Sequence, residues 1–205
     1  MSFIELFIFV FVISLIGSLP PGMISVTVAI NTLKDGIKNG LWIAFGAVLV
    51  EWFQSFFAVR FAFLFTVHPE YETALLWISM FVFFVLAAYY LLLKPKSNEP
   101  SSNESGFNNH FIKGIFISSA NVMVFPYWIF YSTYAGTQGW MGHEWMDTFV
   151  FCTAVSFGSF TAFWGYGILA SRILSKIENI RKIAHKTVGL LFLGFSLFQA
   201  WQLFF

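Results

Sequence analysis

Ile16-Gly17-Ser18-Leu19-Pro20-Pro21-Gly22-Met23 interrupts the first long apolar stretch of the chain. Proline lacks an N–H and biases the residue before it away from the α region. Pro20 therefore cannot continue a regular helix, and Gly22 loosens the next step. The acceptors of the preceding turn, the carbonyls of Ile16 and Gly17, are expected to lose their helical donors. Lipid cannot satisfy such groups, so the break belongs where it faces protein or a watery cavity.

The chain around this break is that of a polytopic membrane protein. Its 205 residues are 58% hydrophobic, 21% aromatic and only 10% charged, and the mean hydropathy is +0.75. An average soluble chain is about 25% charged. Six stretches are long enough to cross a bilayer, which needs about 20 residues per helix. They lie near Phe3–Ile30, Leu41–Phe65, Thr73–Leu93, Phe111–Ala135, Met146–Ala170 and Thr187–Phe205. Glu5 is the only early charge, so the first stretch lacks the basic n-region of a signal peptide and reads as a retained span.

The connections are polar. Asn31–Gly40, Lys94–His110 and Ser171–Lys186, with Lys113 just beyond the second of these, carry the bases, while Thr66–Glu72 and Gly136–Trp145 carry none. Basic connections stay in the cytoplasm. Both termini are thus expected outside, in an inner-membrane-type topology with the linker 94–110 cytoplasmic. Ser171–Lys186 places Ile173, Leu174, Ile177, Ile180 and Ala184 at helical spacing opposite its bases, the pattern of a surface amphipathic helix.

A second interruption, Asn121-Val122-Met123-Val124-Phe125-Pro126, sits in the fourth stretch. Val122, four residues before Pro126, is expected to lose the partner of its carbonyl. Asn121 offers an amide that both donates and accepts. Phe45-Gly46 is followed six residues after the glycine by Trp52, and Phe157-Gly158 likewise by Trp164. Paired breaks with such a shared pattern predict an all-α bundle of two inverted three-helix repeats, with the first and fourth helices broken. The repeats are 1–93 and 111–205, joined by the linker 94–110. In that architecture a solute binds at the breaks, which assigns Pro20, Pro21, Gly22, Asn121 and Pro126 to binding.

Glu51 lies about ten residues into the second stretch, roughly 15 Å deep at 1.5 Å per residue. A carboxyl at that depth is normally protonated, paired or in a wet cavity, and marks an ion path more often than a structural bond. Gln54 and Ser55 share its helix face. Glu51 is therefore the expected site of proton coupling or of a substrate ammonium, with Gln54 as a binding residue. Arg60 lies on the opposite side of the same helix and reads as a boundary anchor. Ser156, Ser159, Thr161 and the glycines of the fifth stretch read as a packing surface. Tyr127, Trp128 and Tyr131 read as core or interface aromatics.

Other chemistries lack their residues. The four histidines fall in connections, and no metal-ligand spacing appears. No phosphate-cradling glycine loop or nucleophile elbow is present, so neither an enzyme nor a cofactor is expected. No nucleic-acid partner is expected. Cys152 is the sole cysteine, which argues against a transmembrane redox carrier. A non-transporting scaffold or assembly factor is the remaining alternative; it requires the breaks to be packed shut. Oligomeric state has no signature here.

Gly17-Ser18-Leu19-Pro20-Pro21-Gly22-Met23, then Gly36, Gly40, Gly46 and Glu51, resembles the amino-acid exporters of the LysE/RhtB type. Lys113-Gly114 and Asn121 resemble the opening of that family's second half. Leu-Pro-Pro-Gly stands here for the family's Gly-Pro-Gly-Pro, Glu51 for its acidic residue, and the Asn-Pro pair is split between Asn121 and Pro126. The resemblance implies export of an amino acid or similar small polar metabolite, driven by proton antiport.

Overall fold

In the computed structural model, residues 2–67 and 107–170 are described, with helical positions at 77, 80, 81, 84, 85, 87, 88, 91, 92, 190, 193, 194, 196, 197, 200 and 201. The third and sixth expected spans, most of the linker and the expected amphipathic segment lie outside the described residues, apart from those positions. The described elements are all helical: α1 (Phe3–Ser18), α2 (Met23–Asp35), α3 (Ile37–Val67), α4 (Phe107–Ser119), α5 (Val124–Thr137) and α6 (Trp145–Ile168).

Two helices are individually long and apolar enough to cross a membrane, Ile37–Phe63 of α3 and Trp145–Ile168 of α6. The other four form two bent pairs. α1 and α2 meet at 71°, and Asn109–Ser119 of α4 meets α5 at 68°. Each pair passes the same length and hydropathy criteria as a unit, so the described residues hold up to four spans.

Helix boundaries shift relative to the sequence reading at the polar connections. Asn31–Asp35 continues α2, and α3 already starts at Ile37. Only Gly36 separates them, at φ +89°, a conformation open to glycine and strained for other residues. Its N–H donates to the Thr32 carbonyl, and Asn39 Nδ2 donates to the Asp35 carbonyl, so the turn closes without a loop. α4 likewise begins at Phe107, inside the stretch expected as linker.

The chain divides into two compact units, Met1–Leu64 with Pro100–Lys176, and Phe65–Glu99 with Ile177–Phe205. In the second, Ser196 Oγ donates to the Met80 carbonyl at 3.2 Å. The first contains the six helices up to Leu64 of α3. One cluster of its core joins Leu6 and Val10 of α1, Val59 and Phe63 of α3, Trp128 of α5 and Phe151 and Val155 of α6. A second joins Ile24 and Val28 of α2, Ile43, Ala47 and Val48 of α3 and Phe163 of α6.

The distribution of side chains is that of a protein in lipid. α3 turns Phe45, Leu49, Phe53, Phe57 and Phe61 outward, and buries Glu51, Gln54 and Ser55. α1 exposes Ile4, Ile8, Val12 and Ile16 and buries Ser14. Lipid tails give apolar helices no reason to associate, so helices in a bilayer meet through small residues and polar contacts. Such contacts fix the unit. A Cβ on Gly46 would run into the Phe111 carbonyl of α4, and one on Gly114 of α4 into the Ile43 carbonyl of α3. A Cβ on Gly158 of α6 would lie 2.5 Å from the Phe11 carbonyl of α1.

Candidate functional site

Both predicted interruptions are breaks, and both are tighter than the sequence reading expected. At the first, the Leu19 N–H donates to the Ile16 carbonyl at 3.2 Å. At the second, the Phe125 N–H donates to the Val122 carbonyl at 3.3 Å. The expected loss of donors at Ile16 and Val122 is thereby corrected. The chain narrows to three-residue hydrogen bonds at each break, which gives those carbonyls new donors. Pro126 falls in the first turn of α5, where a missing N–H removes no helical bond.

The acceptors instead shift to Leu19 and Ser118, and side chains from other helices meet them. Tyr166 of α6 donates its hydroxyl to the Leu19 carbonyl at 2.6 Å. Gln54 of α3 donates Nε2 to the Ser118 carbonyl at 3.2 Å, an acceptor it shares with the Asn121 N–H. Pro20 and Gly22 are exposed, Pro21 is half-buried, and Asn121 is half-buried three residues beyond Ser118.

The two breaks also touch. Tyr127, on the first turn of α5, donates its hydroxyl to the Ile13 carbonyl of α1 at 2.9 Å. Its ring covers Gly17, where a Cβ would come within 2.6 Å of the hydroxyl oxygen. Tyr127 is thus a bridge between the breaks rather than only a core aromatic.

Glu51 lies near the midpoint of the Ile37–Phe63 span and is 5% exposed. Its carboxyl meets the Ser159 hydroxyl of α6. Ser159 Oγ is in turn 3.0 Å from Ser14 Oγ and 3.0 Å from Ser18 Oγ of α1. Ser14 Oγ also donates to the Val155 carbonyl at 2.7 Å. A line of hydroxyls therefore connects the buried acid to Ser18, the last residue of α1, two residues before Pro20. Ser159 had read as part of a packing surface; it is the junction of this network. Glu51 Oε2, Gln54 Oε1 and Ser118 Oγ are buried without a hydrogen-bond partner.

Arg60 stays apart from this cluster, as its helical position required. Its guanidinium stacks 3.5 Å from the Trp145 ring centre, and Nη1 donates to the His143 carbonyl at 3.1 Å. Toward the other end of the bundle, Lys113 Nζ donates to Asn31 Oδ1 at 3.3 Å and His110 Nε2 lies 3.5 Å from Asp35 Oδ2. No group of three or more metal-ligating His, Cys, Asp or Glu side chains occurs among the described residues.

Tyr166, Ser118, Ser14 and Ser18 were missed as site residues. A signal for Tyr166 was present: it follows Gly158 by eight residues, as Gln54 follows Gly46. The family model described as LysE type translocator matches residues 15–202, a range that includes both breaks and Glu51. The chain belongs to the LysE type translocator family. No curated protein and no solved structure matches it. The translocator is accordingly a multi-pass membrane protein that moves a small solute across a bilayer. In this translocator Glu51, Gln54, Ser14, Ser118 and Ser159 are buried polar residues on the long helices α3 and α6 and on the pre-break helices α1 and α4.

Proposed function

We propose that the protein exports an amino acid or similar small polar metabolite by proton antiport from the cytoplasm across an inner membrane. The observation that carries this reading is Glu51, buried at mid-span against Ser159, with one carboxyl oxygen unpartnered and two helix breaks tied to the same cluster. A carboxyl in such a place marks an ion or proton path. Glu51 loads and unloads the proton. Gln54, the Pro20-Pro21-Gly22 break and the Asn121–Pro126 break form the solute site. Both termini lie outside and the linker 94–110 lies in the cytoplasm.

The six spans form two inverted repeats, 1–93 and 111–205. Support comes from reciprocal contacts. Gly46 of α3 takes the Phe111 carbonyl of α4, and Gly158 of α6 takes the Phe11 carbonyl of α1. The Ile43 carbonyl, three residues before Gly46, meets Gly114; the Val155 carbonyl, three before Gly158, meets Ser14. Eight residues after each glycine, Gln54 and Tyr166 bond a carbonyl at the opposite break. Each long helix thus holds the pre-break helix of the other repeat, the arrangement that lets one repeat rock against the other around a central site.

Reconstituted proteoliposomes loaded with a panel of amino acids test the reading. Efflux of at least one of them on imposing a pH gradient supports it; a panel with no pH-dependent efflux contradicts it.

A further inference from the structure

Among the described residues, three of the buried polar atoms without partners fall on adjoining side chains: Glu51 Oε2, Gln54 Oε1 and Ser118 Oγ. Glu51 and Gln54 are one turn apart on the same face of α3. Gln54 and Ser118 are tied directly, because Gln54 Nε2 donates to the Ser118 carbonyl. That bond fixes which end of the amide is which, since the amide oxygen would repel the carbonyl. Gln54 Oε1 is left as a pure acceptor. A carboxylate oxygen accepts, and a serine hydroxyl accepts as readily as it donates. Buried polar groups are expected to be satisfied, and each exception calls for a missing partner.

With Glu51 ionised, the partner these atoms lack is one that supplies donors. It must also be small, because Glu51, Gln54 and Ser118 are all nearly inaccessible. A primary ammonium fits: three N–H donors on one nitrogen, and a positive charge for a carboxylate. The groups packed around Glu51 supply no competing cation among the described residues. α6 presents Ser159, α1 presents Ser14 and Ser18, and the neighbouring titratable Cys152 interacts with Ser55. Arg60 lies on the other side of α3, stacked on Trp145 and bonded through Nη1 to the His143 carbonyl.

We propose that Glu51, Gln54 and Ser118 form an ammonium-binding subsite, in which the solute's primary amine and the coupling proton occupy the Glu51 carboxylate by turns. The inference rests on the transport reading and specifies it. The solute is recognised by its amine end, and exchange at one carboxylate is the coupling step. The proton leaves the carboxyl as the ammonium enters and returns as the ammonium leaves, so the site is neutral in both loaded states, as COOH or as the carboxylate–ammonium pair.

The test uses full-length protein in nanodiscs, titrated with butylamine, tetramethylammonium and butyrate and followed calorimetrically. Butylamine is expected to bind at about pH 8 and to bind progressively more weakly as the pH falls, because protons compete for the same carboxylate. Tetramethylammonium, a cation without N–H donors, and butyrate are expected not to displace it. Glu51→Gln, which keeps the shape, should abolish binding, and Gln54→Leu and Ser118→Ala should each weaken it about fivefold or more. Butylamine binding that survives in Glu51→Gln, or butyrate binding as tightly as butylamine, overturns the assignment. Absence of amine binding with amino-acid efflux intact overturns the subsite and leaves the transport reading standing. Absence of both overturns the two together.

Discussion

The hydroxyl of Tyr166 donates a 2.6 Å hydrogen bond to the carbonyl of Leu19, the last acceptor before Pro20. The donor sits on α6 and the acceptor at the end of α1, so a side chain from one half holds the broken helix of the other. An acceptor left bare away from water costs about 1–3 kcal/mol. Tyr166→Phe removes this bond and keeps the ring. It should lower stability by about that amount in thermal unfolding and reduce efflux severalfold. Unchanged stability and efflux would show that the first break needs no latch.

The close crossings of α3 with α4 and α6 with α1 depend on absent side chains. Gly46→Val and Gly158→Val should each prevent a folded, monodisperse protein, because the added atoms meet the Phe111 and Phe11 carbonyls, which cannot yield without moving a helix. Gly165→Ala serves as the contrast, since nothing lies within 4 Å of the added Cβ. Its unfolding temperature should match that of the wild type. Size-exclusion profiles of the three variants read the difference.

Ser159 joins Glu51 to Ser14 and Ser18 through one hydroxyl. Ser159→Ala leaves Ser14 bonded to the Val155 carbonyl, so the packing of α1 on α6 persists. Folding should therefore survive, while pH-driven efflux falls about tenfold, the equivalent of about 1.4 kcal/mol. Ser159→Thr restores the hydroxyl and should recover most of the rate. Equal efflux in the alanine and threonine variants would exclude a role for the hydroxyl.

Arg60 separates charge from architecture. Its guanidinium stacks on Trp145 and caps the His143 carbonyl. Arg60→Lys keeps the charge and loses the planar stack, and should cost about 0.5–2 kcal/mol of stability. Efflux per folded molecule should not change. A selective loss of efflux at full stability would assign Arg60 to the solute path.

Much of this layout was legible in the residues. Pro20-Pro21-Gly22 has no helical solution, and Glu51 is conspicuous as the one acidic residue of a long, mostly apolar stretch. Charge and proline act locally, so their consequences are visible in one dimension. The partners of the breaks were less visible, because they depend on which helices cross. Tyr166 reads as one aromatic among many until α6 brings it to Leu19. Ser118 gains meaning only when Gln54 reaches its carbonyl. The loss of donors at Ile16 and Val122 failed as an expectation because a chain entering a break can tighten before it opens. The extension of α2 to Asp35 was hidden by polar residues that read as a loop and are in fact the end of a helix.

The central claim is that Glu51 couples proton entry to solute exit. Its most direct measurement is efflux of a loaded amino acid from proteoliposomes under an imposed pH gradient, compared between wild type and Glu51→Gln at equal reconstitution. The account predicts gradient-driven efflux in the wild type and none above the leak in Glu51→Gln. Gradient-driven efflux of equal rate in the two proteins would contradict it.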